Sequence, residues 1–357
     1  MNENKKMKDN IEFSSAHMTG VCNTLMELCN ITAISGSECN AIESFKGLFG
    51  KHFDNIYADK IGNIIMVKKC GKENAKRLLL DAHLDTIGLM VTGVYDDGFV
   101  SVCSIGGIDT RILPASEVTI YGSEQIYGVV VSTPPHLSTG SSVPKMESIL
   151  IDTGINDESI KEKIHVGDYV KIRGDFMVVN DYAFSAGLDD RACLCSCIDA
   201  VINANNLEYD VYVVASCMEE TGAFGARTAL FDIEPDIAIA TDVNFGREPG
   251  VEKRYSIECK KGPSIDLSVI LDRELSNAII EIAKRNEIPY QIVVEAGRTG
   301  TNADYFSITG KGTRLALMSL PLKGMHTPSE CVSLEDICSL SKILTRVIES
   351  KERELWN

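Results

Sequence analysis

In the stretch LLLDAHLDTIG (78–88) an apolar run gives way to Asp81, His83 and Asp85. Successive side chains of an extended chain point to opposite faces, so His83 and Asp85 share one face. A carboxylate there can accept a hydrogen bond from one imidazole nitrogen and leave the other free to bind a metal ion. A core histidine paired with an acid is the plainer reading of this stretch alone, so the choice rests on what else the chain supplies. Glu219 and Glu220 close the apolar run VYVVASCM, and Asp242 closes IAIAT. His326 follows LALMSL in the turn PLKGMHTPSE, and Asp189 and Asp190 lie in SAGLDDRA. The chain has 6 histidines, and two of them fall at such positions.

Each acid has a structural use by itself. Asp189 or Asp190 would cap a following helix, Asp242 would close a turn, and adjacent glutamates are commonly solvated. Gathered at one sheet edge, however, these carboxylates would repel one another unless cations were present. Mixed nitrogen and oxygen ligands suit zinc, cobalt or manganese. A dinuclear centre needs one shared carboxylate, for which Asp189 is the candidate. It also needs an unligated carboxylate beside a bridging water, to act as general base. The residues alone do not choose between Glu219 and Glu220, nor between Asp189 and Asp190.

The elements that would position these groups follow from hydrophobic periodicity. Helical spacing runs over 15–31 and 37–53, with Ser35 and Glu38 as a capping box for the second helix. NIYAD and NIIMVKK read as a hairpin around DKIGN. From about residue 89 short β-rich pieces alternate with Gly, Pro and Asp turns, with one short helix near 156–164. Helices at 190–204, 222–231, 274–287 and 334–350 then alternate with apolar strands. This rhythm predicts an α/β fold with a mostly parallel sheet flanked by helices. The catalytic α/β domain would comprise residues 1–88 and 179–357, and an inserted small β-barrel or sandwich domain residues 89–178.

Composition narrows the function. A chain of 357 residues exceeds most single cores. Its net charge of −16 disfavours nucleic acid and anionic membranes as partners. No apolar stretch reaches the length of a membrane span, and MNENKKMKDN lacks the apolar core of a signal peptide. The 12 cysteines include no CxxC, and Cys193, Cys195 and Cys197 alternate within a predicted helix. Reduced, buried thiols of a cytoplasmic protein are expected.

The motifs DAHLDTIG, AGLDDRA, EETGAFGA, IATDVN and MHTPSE, in this order, resemble those of the tetrahedral (TET) aminopeptidases. These co-catalytic metallopeptidases are also known as glutamyl or deblocking aminopeptidases and were long described as cellulase M. The resemblance spans about residues 18–350, including GGIDTRILP and TPPHL in the insert. It implies two divalent metal ions per chain: His83, Asp189 and Asp242 would hold one, and Asp189, Glu220 and His326 the other. Glu219 would be the general base and Asp85 the carboxylate that orients His83. It also implies peptide substrates, dimerisation through the β insert, and homo-oligomers from dimer to dodecamer.

Four positions depart from the family pattern: Met218 for glutamine, Cys193 for glycine, Lys323-Gly324 for Arg-Tyr, and Asn302 for aspartate. None is an implied metal ligand, so the chemistry carries over while specificity does not. With Asn302 and Lys323 beside the pocket, acidic or neutral N-terminal residues would be favoured over Lys or Arg. Two other hydrolases use related chemistry. An N-acyl amino acid deacylase would need a cation such as Arg298 or Lys323 for the substrate carboxylate. A glycosidase would need its carboxyls on opposite sides of the bond, which adjacent Glu219 and Glu220 serve poorly, and the histidines would go unexplained. A degenerate scaffold is disfavoured because no implied ligand is missing.

Overall fold

The computed structural model describes residues 15–132, 136 and 143–355. The segment TPPHL falls almost wholly outside the described residues. The chain opens with α1 (Ser15–Asn30) and α2 (Ile42–Phe49), then β1 (Asn55–Ala58), β2 (Ile64–Lys68) and β3 (Arg77–His83). Next come β4 (Gly88–Val94), β5 (Phe99–Ile105), β6 (Glu117–Tyr121), β7 (Gln125–Val130), β8 (Leu150–Asp152), the short α3 (Ile160–Lys163) and β9 (Tyr169–Ile172). After β10 (Met177–Val179) and β11 (Tyr182–Ser185), α4 (Leu188–Asn203) starts the α/β alternation. It continues with β12 (Asp210–Ser216), α5 (Phe224–Ile233), β13 (Ile237–Phe245), β14 (Ser264–Ser268), α6 (Arg273–Arg285) and β15 (Gln291–Glu295). The chain ends with α7 (Ala303–Phe306), β16 (Arg314–Lys323), β17 (Glu330–Ser333), α8 (Leu334–Glu349) and α9 (Glu352–Leu355).

Eleven strands form one sheet along the path β1-β2-β12-β3-β13-β16-β17-β11-β10, with β14 joined to β16 and β15 to β14. The middle of the sheet, β12-β3-β13-β16, is parallel, and antiparallel strands form its margins. Buried side chains cover both faces. Leu78 and Leu80 of β3 face the cluster that includes α1, α4, α6 and α8, while Leu79 faces the one that includes α5 and α7. Continuous apolar runs are what such two-sided burial requires. The second body is a closed antiparallel barrel in the order β4-β5-β8-β7-β6-β9. It has its own core, including Leu89, Val100, Val118, Ile151 and Val170. Alternation on β7 shows why these strands suit a barrel: Ile126, Gly128 and Val130 are buried, and Gln125, Tyr127 and Val129 are exposed.

The expected capping box does not form. Ser35 bonds the Thr221 hydroxyl instead, and Glu38 is buried, accepting from the Met218 amide at 2.8 Å. Tertiary contact with the turn after β12 has replaced a local cap. That turn is also fixed by Asn63, which is fully buried. Its Oδ1 accepts from the Cys217 amide at 2.9 Å and its Nδ2 donates to the Gly225 carbonyl at 2.9 Å. Asn63→Ala would leave the Cys217 amide without its acceptor in the interior, at a cost of roughly 1–3 kcal/mol, while the Gly225 carbonyl keeps the Thr228 hydroxyl at 2.9 Å. Denaturant unfolding is expected to show that loss, and a change below about 0.5 kcal/mol would contradict the role.

Candidate metal centre

The parallel strands end together, and their last residues carry the chemistry. Asp81 and Ala240 are the last registered pair of β3 and β13. Two residues further on, alternation sets His83 and Asp242 on the face that Asp81 shares. The turn after β12 adds Glu219 and Glu220. Asp189 enters from the first turn of α4, where its backbone is not helical. Gly187, just before it, takes a positive φ of 72° and leaves no room for a Cβ, which would lie 2.6 Å from the Thr86 side chain. His326 sits between β16 and β17 with φ at 60°, a strained conformation for a residue with a side chain and one that clusters at functional sites.

Asp189 is the meeting point. Its Oδ1 lies 3.0 Å from His83 Nε2 and its Oδ2 lies 3.4 Å from His326 Nε2. His326 Nε2 also lies 3.3 Å from Glu220 Oε1. Two groups of potential ligand atoms result, each with all members within 4.8 Å of one another: His83, Asp189 and Asp242, and Asp189, Glu220 and His326. Asp189 belongs to both. Glu219 lines the same cleft, of about 1400 Å³, but belongs to neither group.

The residues behind these groups fix which atoms face inward. His83 donates through Nδ1 to the backbone carbonyl of Asp85 at 2.9 Å. The Asp85 carboxylate, expected as the partner, lies 3.6 Å away. It accepts instead from the Glu219 and Glu220 amides at 3.0 and 3.2 Å, so it sets the turn that carries both glutamates. His326 donates through Nδ1 to the Gly107 carbonyl, 2.8 Å away in the loop after β5. Both rings therefore present Nε2 to the cluster, the arrangement that outer hydrogen bonds impose on metal-binding histidines. Glu330 accepts from the amides of His326 and Asp189 at 2.8 and 3.1 Å, one per oxygen.

Electrostatics show what the cluster lacks. Burial is the largest influence on His83 and opposes its charge, yet Asp189, Glu219 and Asp85 hold the ring well above the usual imidazole range. Hydrogen bonds to Asp189 and Glu220 push His326 up to about 11. Burial works against ionised Asp189, but the two imidazoles outweigh it and hold the carboxyl low. Burial and neighbouring charge push Glu219 up to about 7 and drive Asp242 well above its ordinary range. The cluster thus keeps protons where divalent cations would displace them. This donor set of imidazole and carboxylate, with one carboxylate shared, fits two such ions.

Every sequence-predicted site residue, His83, Asp85, Asp189, Glu219, Glu220, Asp242 and His326, meets in this cluster. Three contributors were missed. Glu330 lies four residues after His326 in MHTPSE, a spacing that could have flagged it. Glu38 and the Gly107 carbonyl left no local signal. Besides the role expected of Asp85, two expectations about the substrate pocket fail. Asn302 does not line the cleft: it is 2% exposed and donates to Asp81 and Ser216 at 2.8 and 3.0 Å. The Lys323 ammonium lies 5.6 Å from the Tyr182 ring centre and not among the residues lining the cleft. Cys193, where the family has glycine, is buried with its thiol donating to the Asp242 carbonyl at 3.0 Å.

Residues 62–343 match the sequence profile of the M42 glutamyl aminopeptidases. The chain belongs to that family. It is 32% identical over 305 residues to the lysyl aminopeptidase of Pyrococcus furiosus, covering 83% of this chain and 87% of that one. The fold matches an aminopeptidase from Desulfurococcus kamchatkensis with a TM-score of 0.88 at 28% identity, covering 95% of this chain and 97% of that one. It also matches the Pyrococcus horikoshii TET1 peptidase, which can assemble into a tetrahedron or a large octahedral shell, with a TM-score of 0.81 at 30% identity. That match covers 92% of this chain and 99% of the other. The M42 chain is therefore a peptide hydrolase of the aminopeptidase type and a metallopeptidase. No helix among its described residues is long and apolar enough to cross a membrane.

Glu330→Gln tests the backing of the centre. A glutamine offers one acceptor where two amides need one each, so either Asp189 or His326 loses its anchor. Metal affinity, measured by competition with a chelator, is expected to fall roughly 10- to 100-fold while circular dichroism stays native. Unchanged affinity would refute the assignment.

Proposed function

We propose that this M42 chain is a dinuclear metallo-aminopeptidase that removes N-terminal residues from peptides. The observation that carries the reading is the position of Asp189 in both ligand groups, between two imidazoles. His83, Asp189 and Asp242 would hold one ion, and Asp189, Glu220 and His326 the other, with zinc, cobalt or manganese suited to these donors. When bound, the pair of ions would lower the pKa of a shared water and polarise the scissile carbonyl.

The protein's own groups do the rest. Glu219 stands beside the ligand groups without belonging to them, and burial, with the neighbouring acids, disfavours its charged form; a carboxylate placed there, unligated, is what a general base requires. In this reading it takes the proton of the attacking water and returns it to the leaving amine. Asp85 acts as a positioning residue, holding the amides of Glu219 and Glu220. The carboxylates of the cleft would receive the free α-amine, which confines cleavage to the terminus. The deacylase alternative loses Lys323 as its anchor for a substrate carboxylate, since that side chain packs by Tyr182.

The domain reading is that residues 1–88 and 179–357 form the catalytic unit and 89–178 the assembly unit. The TET1 relative assembles into closed shells, and β7 of the barrel exposes Tyr127 and Val129 side by side on its outer face, 61% and 46% exposed. Exposed apolar strand faces of this kind favour contact with another protein, here a second copy, in a homo-oligomer of two to twelve chains in the cytoplasm.

Glu219→Gln removes basicity and keeps shape. Metal content is expected to persist while kcat falls by roughly 10²–10⁴, whereas Glu220→Gln should deplete one ion. Metal analysis beside steady-state kinetics separates the two, and equal metal loss in both variants would overturn the roles.

A further inference from the structure

A second pair of acids lies on the same sheet face as the metal centre but outside its ligand groups. Asp242 of β13 is registered with Ser319 of β16. The Ser319 hydroxyl donates to Asp266 Oδ2 of β14 at 3.0 Å. On β15, Val293 is registered with Asp266, and Glu295, two residues on, shares that face. Ser319, Asp266 and Glu295 line the same cleft as His83, Asp189 and Glu219. Antiparallel pairing of β14 with β16 sets Ser264, not Asp266, level with Ser319, so at two strand spacings and two residues of stagger Asp266 stands roughly 11–12 Å from Asp242. That separation suits an extended amino-acid side chain whose α-amine and carbonyl lie at the metal centre.

Asp266 is 1% exposed, and its Oδ1 has no hydrogen-bond partner. Glu295 Oε2 is likewise buried without a partner. Neither carboxylate has a cation in contact among the described residues. The basic residues that line this cleft, Lys253, Arg254 and Arg298, are all exposed, and Arg254 pairs with Glu252 at 2.8 Å. Burial pushes Asp266 up to about 6, against the neighbouring Ser264 and Ser319 hydroxyls. Burial, with the charges of Asp266 and Asp304, pushes Glu295 up to about 7. A buried carboxylate with an open valence is costly to keep, and a cation brought by the ligand would complete it.

We propose that Asp266 and Glu295 form the subsite for the side chain of the substrate's N-terminal residue, and that it selects a cationic one, lysine or arginine. The proposal rests on the aminopeptidase reading of the adjoining centre. It reverses the preference expected from Asn302 and Lys323, because neither of those side chains reaches the cleft.

The test uses the full-length, metal-loaded chain with lysyl-, leucyl- and glutamyl-p-nitroanilide, in the wild type, Asp266→Asn and Glu295→Gln. The wild type is expected to show its highest kcat/KM on the lysyl substrate. Asp266→Asn should lower that value roughly 10- to 100-fold and change the leucyl value less than about threefold. Glu295→Gln should act in the same direction and more weakly, since its side chain is less buried. Calorimetric titration with L-lysinamide and L-leucinamide reads the pocket without turnover, and the lysine compound should bind more tightly to the wild type than to either variant. Turnover of the leucyl substrate without a lysyl preference, or equal losses on both substrates in folded variants, would overturn the subsite and leave the aminopeptidase reading intact. Failure on all three substrates would count against that reading, and the amide titration would still decide the pocket: equal binding of the two amides would overturn it.

Discussion

The carboxylate of Asp189 faces two imidazoles that come from widely separated parts of the chain, His83 on one oxygen and His326 on the other. Much of the structure around the sheet edge can be understood as what that contact requires. Asp242, Glu219 and Glu220 crowd the same few ångströms, and burial penalises ionisation of each of them. So much acid is tolerable only when positive charge is built in or bound. Protons on the imidazoles supply some of that charge, and divalent cations, by displacing those protons, would supply more. The cluster is therefore a poor stabiliser of the fold and a good receptor for metal.

Holding such a cluster in register takes support from every layer. Glu330 ties the Asp189 amide to the His326 amide across the start of β17. Asp85 ties the end of β3 to the turn after β12. The barrel also takes part, because the Gly107 carbonyl fixes the tautomer and tilt of His326. A Cβ on Gly107 would lie 3.4 Å from His326 Nδ1, so the loop approaches the ring closely. The barrel and the centre are thus coupled through one histidine, and a change in how the barrel is held has a direct route to the chemistry.

The α/β alternation, the β-rich insert and the candidate site positions, up to the choices between Asp189 and Asp190 and between Glu219 and Glu220, were legible in the sequence because they depend on local pattern. Apolar runs ending in His83 or Asp242 announce strands whose tips point at one place. Resemblance to the family motifs then chose Asp189 over Asp190 and Glu219 over Glu220. What stayed hidden depends on contacts between distant segments. Glu38 has the spacing of a local cap but serves the Met218 amide instead. Asn302 was assigned to the pocket from a family difference, yet its partners Asp81 and Ser216 lie on other strands. Lys323 adjoins the His326 turn in sequence, but its ammonium lies by Tyr182 of β11. The acidic pair Asp266 and Glu295 could not be joined before the β16-β14-β15 order was known, since SIDLS and QIVVE look like ordinary strands.

The central claim is that one carboxylate is shared by two metal ions. Anomalous diffraction from zinc-loaded crystals of the whole chain tests it most directly. The account predicts two peaks per chain, each roughly 2.0–2.2 Å from a different oxygen of Asp189, one beside His83 and Asp242 and the other beside His326 and Glu220. A single peak, or two peaks with no contact to Asp189 in common, would contradict it.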